Sequence, residues 1–257
     1  MRNWKISGLQ ILTVLLFLGL CEVVVRLEFV SDLYLAAPSN VVVSFFDLIV
    51  EENLSRHFFI TFMEFFVGFT IASLTGISFG LFMAISKKAE IFFTPFLSAL
   101  MAVPKAAIIP LLILWLGMGF SNKVVVVFIA SFFLITFNTL TGVKSTAENH
   151  IKVARVFEAS YSQLVKKVLI PSAVPSIFTG LRVAATVGLV TALFAEMFAS
   201  KEGLGYLLTL AVQFYDTAQL FAIIFIVTIL SVLITGGIDL IERKVFTKWR
   251  YLEDKKI

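Results

Sequence analysis

Six long apolar runs, each bounded by charge, dominate this sequence, at residues 6–25, 58–85, 91–116, 124–143, 176–199 and 217–240. The hydrocarbon core of a bilayer is about 30 Å thick and needs about 20 helical residues to cross it. Every run meets that length. The composition agrees, with 59% hydrophobic residues, 15% charged and 28 Phe, against about 45–50% and about 25% for a soluble domain. A polar shell for a soluble fold is not available from these residues, which disfavours a soluble enzyme, a disordered chain or a secreted disulfide scaffold. In lipid every backbone group must be satisfied internally, so only helices and closed barrels qualify. Barrel strands alternate over short segments; these runs do not. The expected fold class is an all-α integral membrane protein with about six transmembrane helices.

The scarce charge orients the chain. With an even number of spans both termini share a side. Placing them in the cytoplasm gathers there Arg2, Lys5, Lys87, Lys88, Lys144, Lys152, Arg155, Lys166, Lys167, Arg182, Arg243, Lys244, Lys248, Arg250, Lys255 and Lys256. Only Arg26, Arg56, Lys123 and Lys201 fall outside, and Lys105 lies within a span. That is the asymmetry of the positive-inside rule. It accounts for the net charge of +4 without nucleic acid as a partner. Trp4, Tyr34, Trp115, Tyr206, Tyr215, Trp249 and Tyr251 fall near run ends, where amphipathic rings settle at the interface. The first run follows Arg2 and Lys5 but lacks a small-residue cleavage site and ends at Glu22 and Arg26, so it reads as a retained anchor. A single cysteine, Cys21, excludes an intrachain disulfide and a multi-cysteine metal site. Beyond it, Ser39 is the expected N-cap of a short interfacial helix carrying Val41, Val42, Phe45, Phe46, Leu48 and Ile49.

Within the spans, small residues recur every four positions. Gly68, Ala72, Gly76, Gly80 and Ala84 form one stripe; Gly180, Ala184, Gly188 and Ala192 form another. Residues four apart share a helix face, and small side chains let helix backbones approach in lipid. Each stripe extends to a carboxylate, Glu64 before Gly68 and Glu196 after Ala192, so both are expected to face other helices. An intramembrane charge is costly and needs a partner; a cation, a backbone donor or water would serve. Pro95, Pro104 and Pro110 interrupt the third run, which is expected to be bent or broken because proline removes a backbone donor. Lys105, beside Pro104, could pair with a carboxylate, cap a carbonyl freed by the kink, or meet an anionic substrate at the broken helix. His57 and His150 are expected at the surface.

The segment 144–175 is the longest between runs. Residues 147–167 read as short amphipathic pieces with Val153, Val156, Phe157, Leu164 and Val165 as the apolar positions, after which Pro171 and Pro175 restart the chain into the fifth run. Such a face must be covered, by the protein's own spans or by a soluble partner.

Several motifs in fixed order then carry a resemblance over nearly the whole chain. They are Val103-Pro104-Lys105-Ala106, Pro110-Leu111-Leu112-Ile113-Leu114-Trp115-Leu116-Gly117, Phe137-Asn138-Thr139-Leu140, Ile170-Pro171-Ser172-Ala173-Val174-Pro175, Ala195-Glu196-Met197 and Gly203-Leu204-Gly205-Tyr206. Together they resemble the permease subunits of ATP-binding-cassette importers, of the binding-protein-dependent kind serving nitrate, sulfonate and taurine, with a MetI-like core. The family's loop motif reads Glu-Ala-Ala, three residues, Gly, nine residues, Ile-x-Leu-Pro. Anchoring on Pro171 puts Lys152, Val153 and Ala154 in the Glu-Ala-Ala slots and Glu158 in the Gly slot. The glycine slot is expected to be a turn between two short helices, where positive φ suits Gly and not Glu; with Glu158 there, either the turn uses negative φ or it is strained.

The resemblance implies a permease homodimer in membrane lipid, an extracytoplasmic solute-binding protein, and a cytosolic ATPase dimer that holds the ATP and Mg. The chain itself needs no cofactor and catalyses nothing; it has no G-x-x-x-x-G-K-[S/T] loop. The coupling helix would lie at 153–160, with Phe157 as its apolar plug and Lys152, Val153, Ala154, Glu158, Ala159, Ser160 and Pro171 completing the loop site. Lys105, Glu64, Glu196 and Asn138 are candidates for the translocation pathway. Gly68, Gly76, Gly80, Gly180 and Gly188 are candidates for helix packing. The organisation expected is 1–57 for the first span and external helix, 58–240 for the permease core, and 241–257 for a basic cytoplasmic tail. The cargo would be a sulfonate, nitrate, taurine or similar anion; a thiamine-pyrimidine precursor or riboflavin is the alternative, and a stand-alone secondary transporter is the second.

Overall fold

The computed structural model describes residues 4–250. Arg2, Tyr251, Lys255 and Lys256, used above for orientation, lie outside the described residues, as do the side chains of Trp4, Lys5, Lys248, Trp249 and Arg250. The described chain is helical: α1 (Trp4–Arg26), α2 (Pro38–Val50), α3 (Leu54–Ile85), α4 (Lys87–Ala102), α5 (Lys105–Leu116), α6 (Phe120–Lys144), α7 (Glu148–Val156), α8 (Tyr161–Leu164), a π-turn (Val165–Leu169), α9 (Ile170–Ala199), α10 (Leu204–Gln213) and α11 (Thr217–Arg250). Five helices are long and apolar enough to cross a membrane; α4 and α5 make a sixth if counted as one bent span. The described chain divides into two compact units, one of residues up to 60 with 201–229, the other of 61–200 with the described residues from 230 onward.

The second unit is organised around α6, with α3 on one side and α9 on the other. A Cβ added at Gly68 would lie 2.6 Å from the Val124 carbonyl oxygen of α6, and one at Gly80 would lie 2.7 Å from that of Thr136. From α9, a Cβ at Gly180 would meet the Asn138 Cβ at 2.5 Å, and one at Gly188 the Ser131 Oγ at 2.7 Å. Gly76 faces Phe132 and Ile135 more loosely, at 3.1–3.2 Å. The α3 stripe thus lies against the α6 backbone and the α9 stripe against α6 side chains, and Ala72, Ile135 and Ala184 close the layer between them. Dispersion from this close contact replaces the hydrophobic drive that lipid cannot supply.

The third run breaks only at Pro104. Helices α4 and α5 meet there at 90°, while Pro95 and Pro110 remain inside helices. Pro171 and Pro175 do not restart the chain. Residues Tyr161–Phe198 form one apolar helix of 38 residues, in which a π-turn comes just before Pro171 and Pro175 sits inside α9. The Ile170 N–H reaches back five residues to the Val165 carbonyl, which shifts the hydrogen-bond register just where the missing donors begin.

In the first unit, α2 begins at Pro38 with Ala37 as its N-cap, so Ser39 is not the cap. Proline suits the first turn because its absent N–H would be unsatisfied there. The Ser39 N–H donates instead to Glu22 Oε2 of α1 at 3.0 Å, and its hydroxyl donates to Glu22 Oε1 at 2.7 Å. A carboxylate borrowed from α1 thus does the capping, with Arg26 bonded to it at 2.6 Å.

Candidate functional site

Two regions of the second unit hold the residues singled out from the sequence. The first is a buried polar knot at one end of the α3–α6–α9 layer. Glu64 is 2% exposed and Glu196 fully buried. The partner that matters is Lys123, at the start of α6: it is 5% exposed, its ammonium lies 3.4 Å from Glu64 Oε1, and it donates to Ser200 Oγ at 3.2 Å. The Thr61 hydroxyl donates to Glu196 Oε1 at 2.6 Å. The layer's two buried acids are thus met by a lysine and a hydroxyl from neighbouring helices. Lys123 was expected in an aqueous loop. It is buried because α6 starts at Phe120, which places Lys123 one turn inside the helix. Its spacing from the apolar run could have revealed this, since a basic residue one turn before a buried stripe can reach back to an acid on the next helix.

The pathway candidates separate. Lys105 is partly buried, and its ammonium donates to the Met101 carbonyl across the Pro104 break; it caps one of the carbonyls that the end of α4 leaves open. The Asn138 amide donates to the Leu134 carbonyl at 2.8 Å within α6, against Gly180. Arg182 bonds Asp239 at 2.9 Å and also Glu242, tying α9 to α11. Asp239 and Glu242 sit three apart on one helix face, a spacing legible in the sequence but not paired with Arg182 there.

In the first unit His57 is buried, not at the surface. Its Nδ1 accepts the Gly203 N–H at 2.9 Å and its ring stacks on Tyr206. Gly203 has φ 108°, open to glycine but strained for other residues. His150 is exposed.

The second region is the α7–α8 turn. Residues 153–160 do not form one helix. The helix is Glu148–Val156, and 157–160 is a tight turn. The Glu158 N–H donates to the Arg155 carbonyl at 2.9 Å and the Ala159 N–H to the Ala154 carbonyl at 3.0 Å. These two bonds make a Schellman C-cap. Ser160 then starts α8 with a capping box, its hydroxyl accepting from the Gln163 N–H while the Gln163 side chain accepts from the Ser160 N–H. Squeezed between the two caps, Glu158 adopts φ 52°. The glycine slot is thus a positive-φ turn that Glu fills with strain, at a cost of about 1–2 kcal/mol.

The turn's apolar side chains are not covered. Phe157 is 81% exposed and Val156 80%, and Val153 is also exposed. Ala154, Ala159 and Pro171 are half-buried; Lys152, Glu158 and Ser160 are exposed. Lys152 pairs with Glu148 at 3.1 Å. The turn is nonetheless anchored, because the Tyr161 hydroxyl donates to the Ile85 carbonyl at the end of α3 at 2.8 Å. Nearby, Glu90 bridges Lys144 at 2.6 Å and Lys87 at 3.2 Å.

The chain is similar to known proteins over most of its length. Residues 76–247 match the family model described as binding-protein-dependent transport system inner membrane component. The chain is 32% identical to the aliphatic sulfonates transport permease protein SsuC of Bacillus subtilis, over 91% of this chain and 84% of that relative. It is 29% identical to the taurine transport system permease protein TauC of Escherichia coli, over 96% of this chain and 92% of that one. It is 31% identical to the formylaminopyrimidine transport permease protein ThiX of Halalkalibacterium halodurans, over 84% and 86%. Among solved structures it resembles inward-facing conformations of the MetNI methionine ABC transporter, with a TM-score of 0.64 at 18% identity, over 73% of this chain and 93% of that one. The last likeness speaks for the fold.

Proposed function

This chain belongs to the family of binding-protein-dependent transport system inner membrane components, and from that premise we propose how it assembles, what it carries and which residues couple it to its motor. It is a permease subunit of an ABC importer, multi-pass in the inner membrane, and a transport component rather than an enzyme. Two copies form the pathway. ATP and Mg sit in a cytosolic ATPase dimer, a solute-binding protein delivers cargo from outside, and both termini lie in the cytoplasm, as the basic residues favour.

The observation that carries the coupling reading is the exposed Val153–Val156–Phe157 tip of a turn that is otherwise capped on both sides. Phe157 fills an apolar cleft of the ATPase, with Lys152, Ala154, Glu158, Ala159 and Ser160 around it. Closure of the ATPase dimer on ATP moves the tip, and α8 passes the movement through Pro171 into the helix that contains α9. Tyr161 passes it to α3. The spans then exchange between outward- and inward-open states, an equilibrium biased by nucleotide and by the loaded binding protein.

The cargo is a small sulfonate or similar anion, in keeping with the named substrates of the SsuC and TauC relatives. Lys105, Asn138, Glu64 and Glu196 are the polar residues available to the pathway; the last two hold the helix layer first. Reconstitution tests the reading. Proteoliposomes holding the chain, its ATPase and its binding protein should take up radiolabelled taurine or an alkanesulfonate only with internal ATP. Uptake of a formylaminopyrimidine instead would reassign the cargo. Uptake by this chain alone without ATP would overturn the importer mechanism. Lys105→Met with unchanged uptake would remove Lys105 from the pathway.

A further inference from the structure

The Glu158 carboxylate has no hydrogen bond or ion pair among the described residues, although it stands on the most strained backbone of the α7–α8 turn. Arg155, three residues earlier and also exposed, makes no ion pair with it. The backbone of that position is dictated from both sides, by the Schellman bonds to Arg155 and Ala154 and by the Ser160–Gln163 capping box. Glycine would meet this backbone requirement without strain. The side chain therefore contributes nothing to the turn that holds it, and its use lies outside the chain.

Positive φ alone does not single out Glu158, because Glu28 and Tyr215 also carry it. Its neighbours do. Directly before it stand Val156 and Phe157, among the most exposed apolar side chains of the described chain. The one unpaired acid of the turn sits at the edge of its uncovered apolar tip. That is the arrangement of an interface core with a charged rim, where apolar side chains supply affinity and rim charges supply register and partner choice.

We propose that Glu158 is a partner-selecting contact: the ATPase cleft that receives Phe157 carries a lysine or arginine at its rim, and Glu158 pairs with it. This rests on the reading of the turn as the ATPase contact. The strain at Glu158 is offset in the complex rather than in the free permease. An ATPase whose rim is neutral or acidic at that point docks the same apolar tip less well, so the residue discriminates among ATPases that would otherwise fit.

The test uses the detergent-solubilised permease and the purified ATPase subunit of the same importer. Their dissociation constant is measured from low to high salt for the wild type, Glu158→Gln, Glu158→Gly and Phe157→Ala. The pairing predicts that Glu158→Gln and Glu158→Gly each bind about three- to tenfold more weakly at low salt, and that the difference shrinks at high salt because rim charges are screened. Glu158→Gly is the decisive variant. It relieves the backbone, so a role confined to the turn would leave binding equal or improved. Weakened binding by a permease that melts no lower than wild type supports the pairing. A second supporting result is rescue of Glu158→Lys by an acidic substitution of one rim lysine or arginine in the ATPase. If Phe157→Ala abolishes binding while both Glu158 variants bind as the wild type does, the pairing is wrong and the docking reading stands. If Phe157→Ala also leaves binding unchanged, both are wrong.

Discussion

The α3–α6–α9 layer and the α7–α8 turn are built on opposite principles. In the layer, glycine stands where helices press closest, and Lys123 and Thr61 meet the buried acids. In the turn, glycine is missing from a position suited to it, and apolar side chains face outward. The layer makes its contacts within the chain, though Glu64 Oε2, Asn122 Oδ1 and the Thr136 and Thr139 hydroxyls are buried there without hydrogen-bond partners among the described residues; the turn's apolar tip is left uncovered by the chain that carries it. Substitutions in the layer should therefore be read in stability, and substitutions in the turn in association.

The largest expected effect is Lys123→Met. Removing one member of a buried ion pair leaves Glu64 uncompensated, at a cost of about 3–5 kcal/mol. Unfolding in detergent should show this, and Lys123→Met combined with Glu64→Leu should recover a good part of it. A Lys123→Met protein as stable as wild type would mean the ion pair contributes nothing to the layer. Next comes Gly180→Leu, whose first side-chain atom already collides with Asn138. Overpacking of this kind costs about 1–3 kcal/mol. Gly19→Leu in α1, with nothing within 4 Å of an added Cβ, should lose no stability. Equal losses at both sites would break the distinction between seam and lipid-facing glycines.

In the turn the sign reverses. Glu158→Gly should raise stability by about 0.5–1 kcal/mol, since relief of a left-handed side chain outweighs the added freedom of the unfolded chain. Hydrogen exchange of the Glu158 and Ala159 amides would register it as greater protection, and reduced protection would contradict the strain. Smallest of all, Phe157→Ala should change stability by less than about 0.5 kcal/mol, as for an exposed side chain away from any packing.

How much of this was legible in the sequence follows the same division. The apolar runs, the break at Pro104 and the four-residue stripes depend on periodicity and on proline chemistry, both of which are local. What escaped depends on partners distant in the chain. Lys123 reads as a loop cation until α3 places Glu64 beside it. Ser39 reads as an N-cap until α1 supplies Glu22. His57 reads as a surface residue until the Gly203 backbone arrives at its Nδ1. Pro171 and Pro175 read as breaks, because neither the π-turn before Pro171 nor the tolerance of Pro175 inside α9 has a sequence pattern of its own. α10 was not foreseen as an element, being only ten residues of apolar helix beyond a motif. The turn was foreseen from the motif register, since the Gly slot fell on Glu158, but its strain needed the two caps that enforce it.

The most direct test of the contrast pairs two readouts on one variant. The affinity of the ATPase for Phe157→Ala is measured beside the melting of that permease. Loss of the complex with unchanged melting is the predicted result. Retention of the complex at wild-type affinity, or loss of the complex only together with loss of the fold, would contradict the assignment of this turn as the permease's contact with its motor.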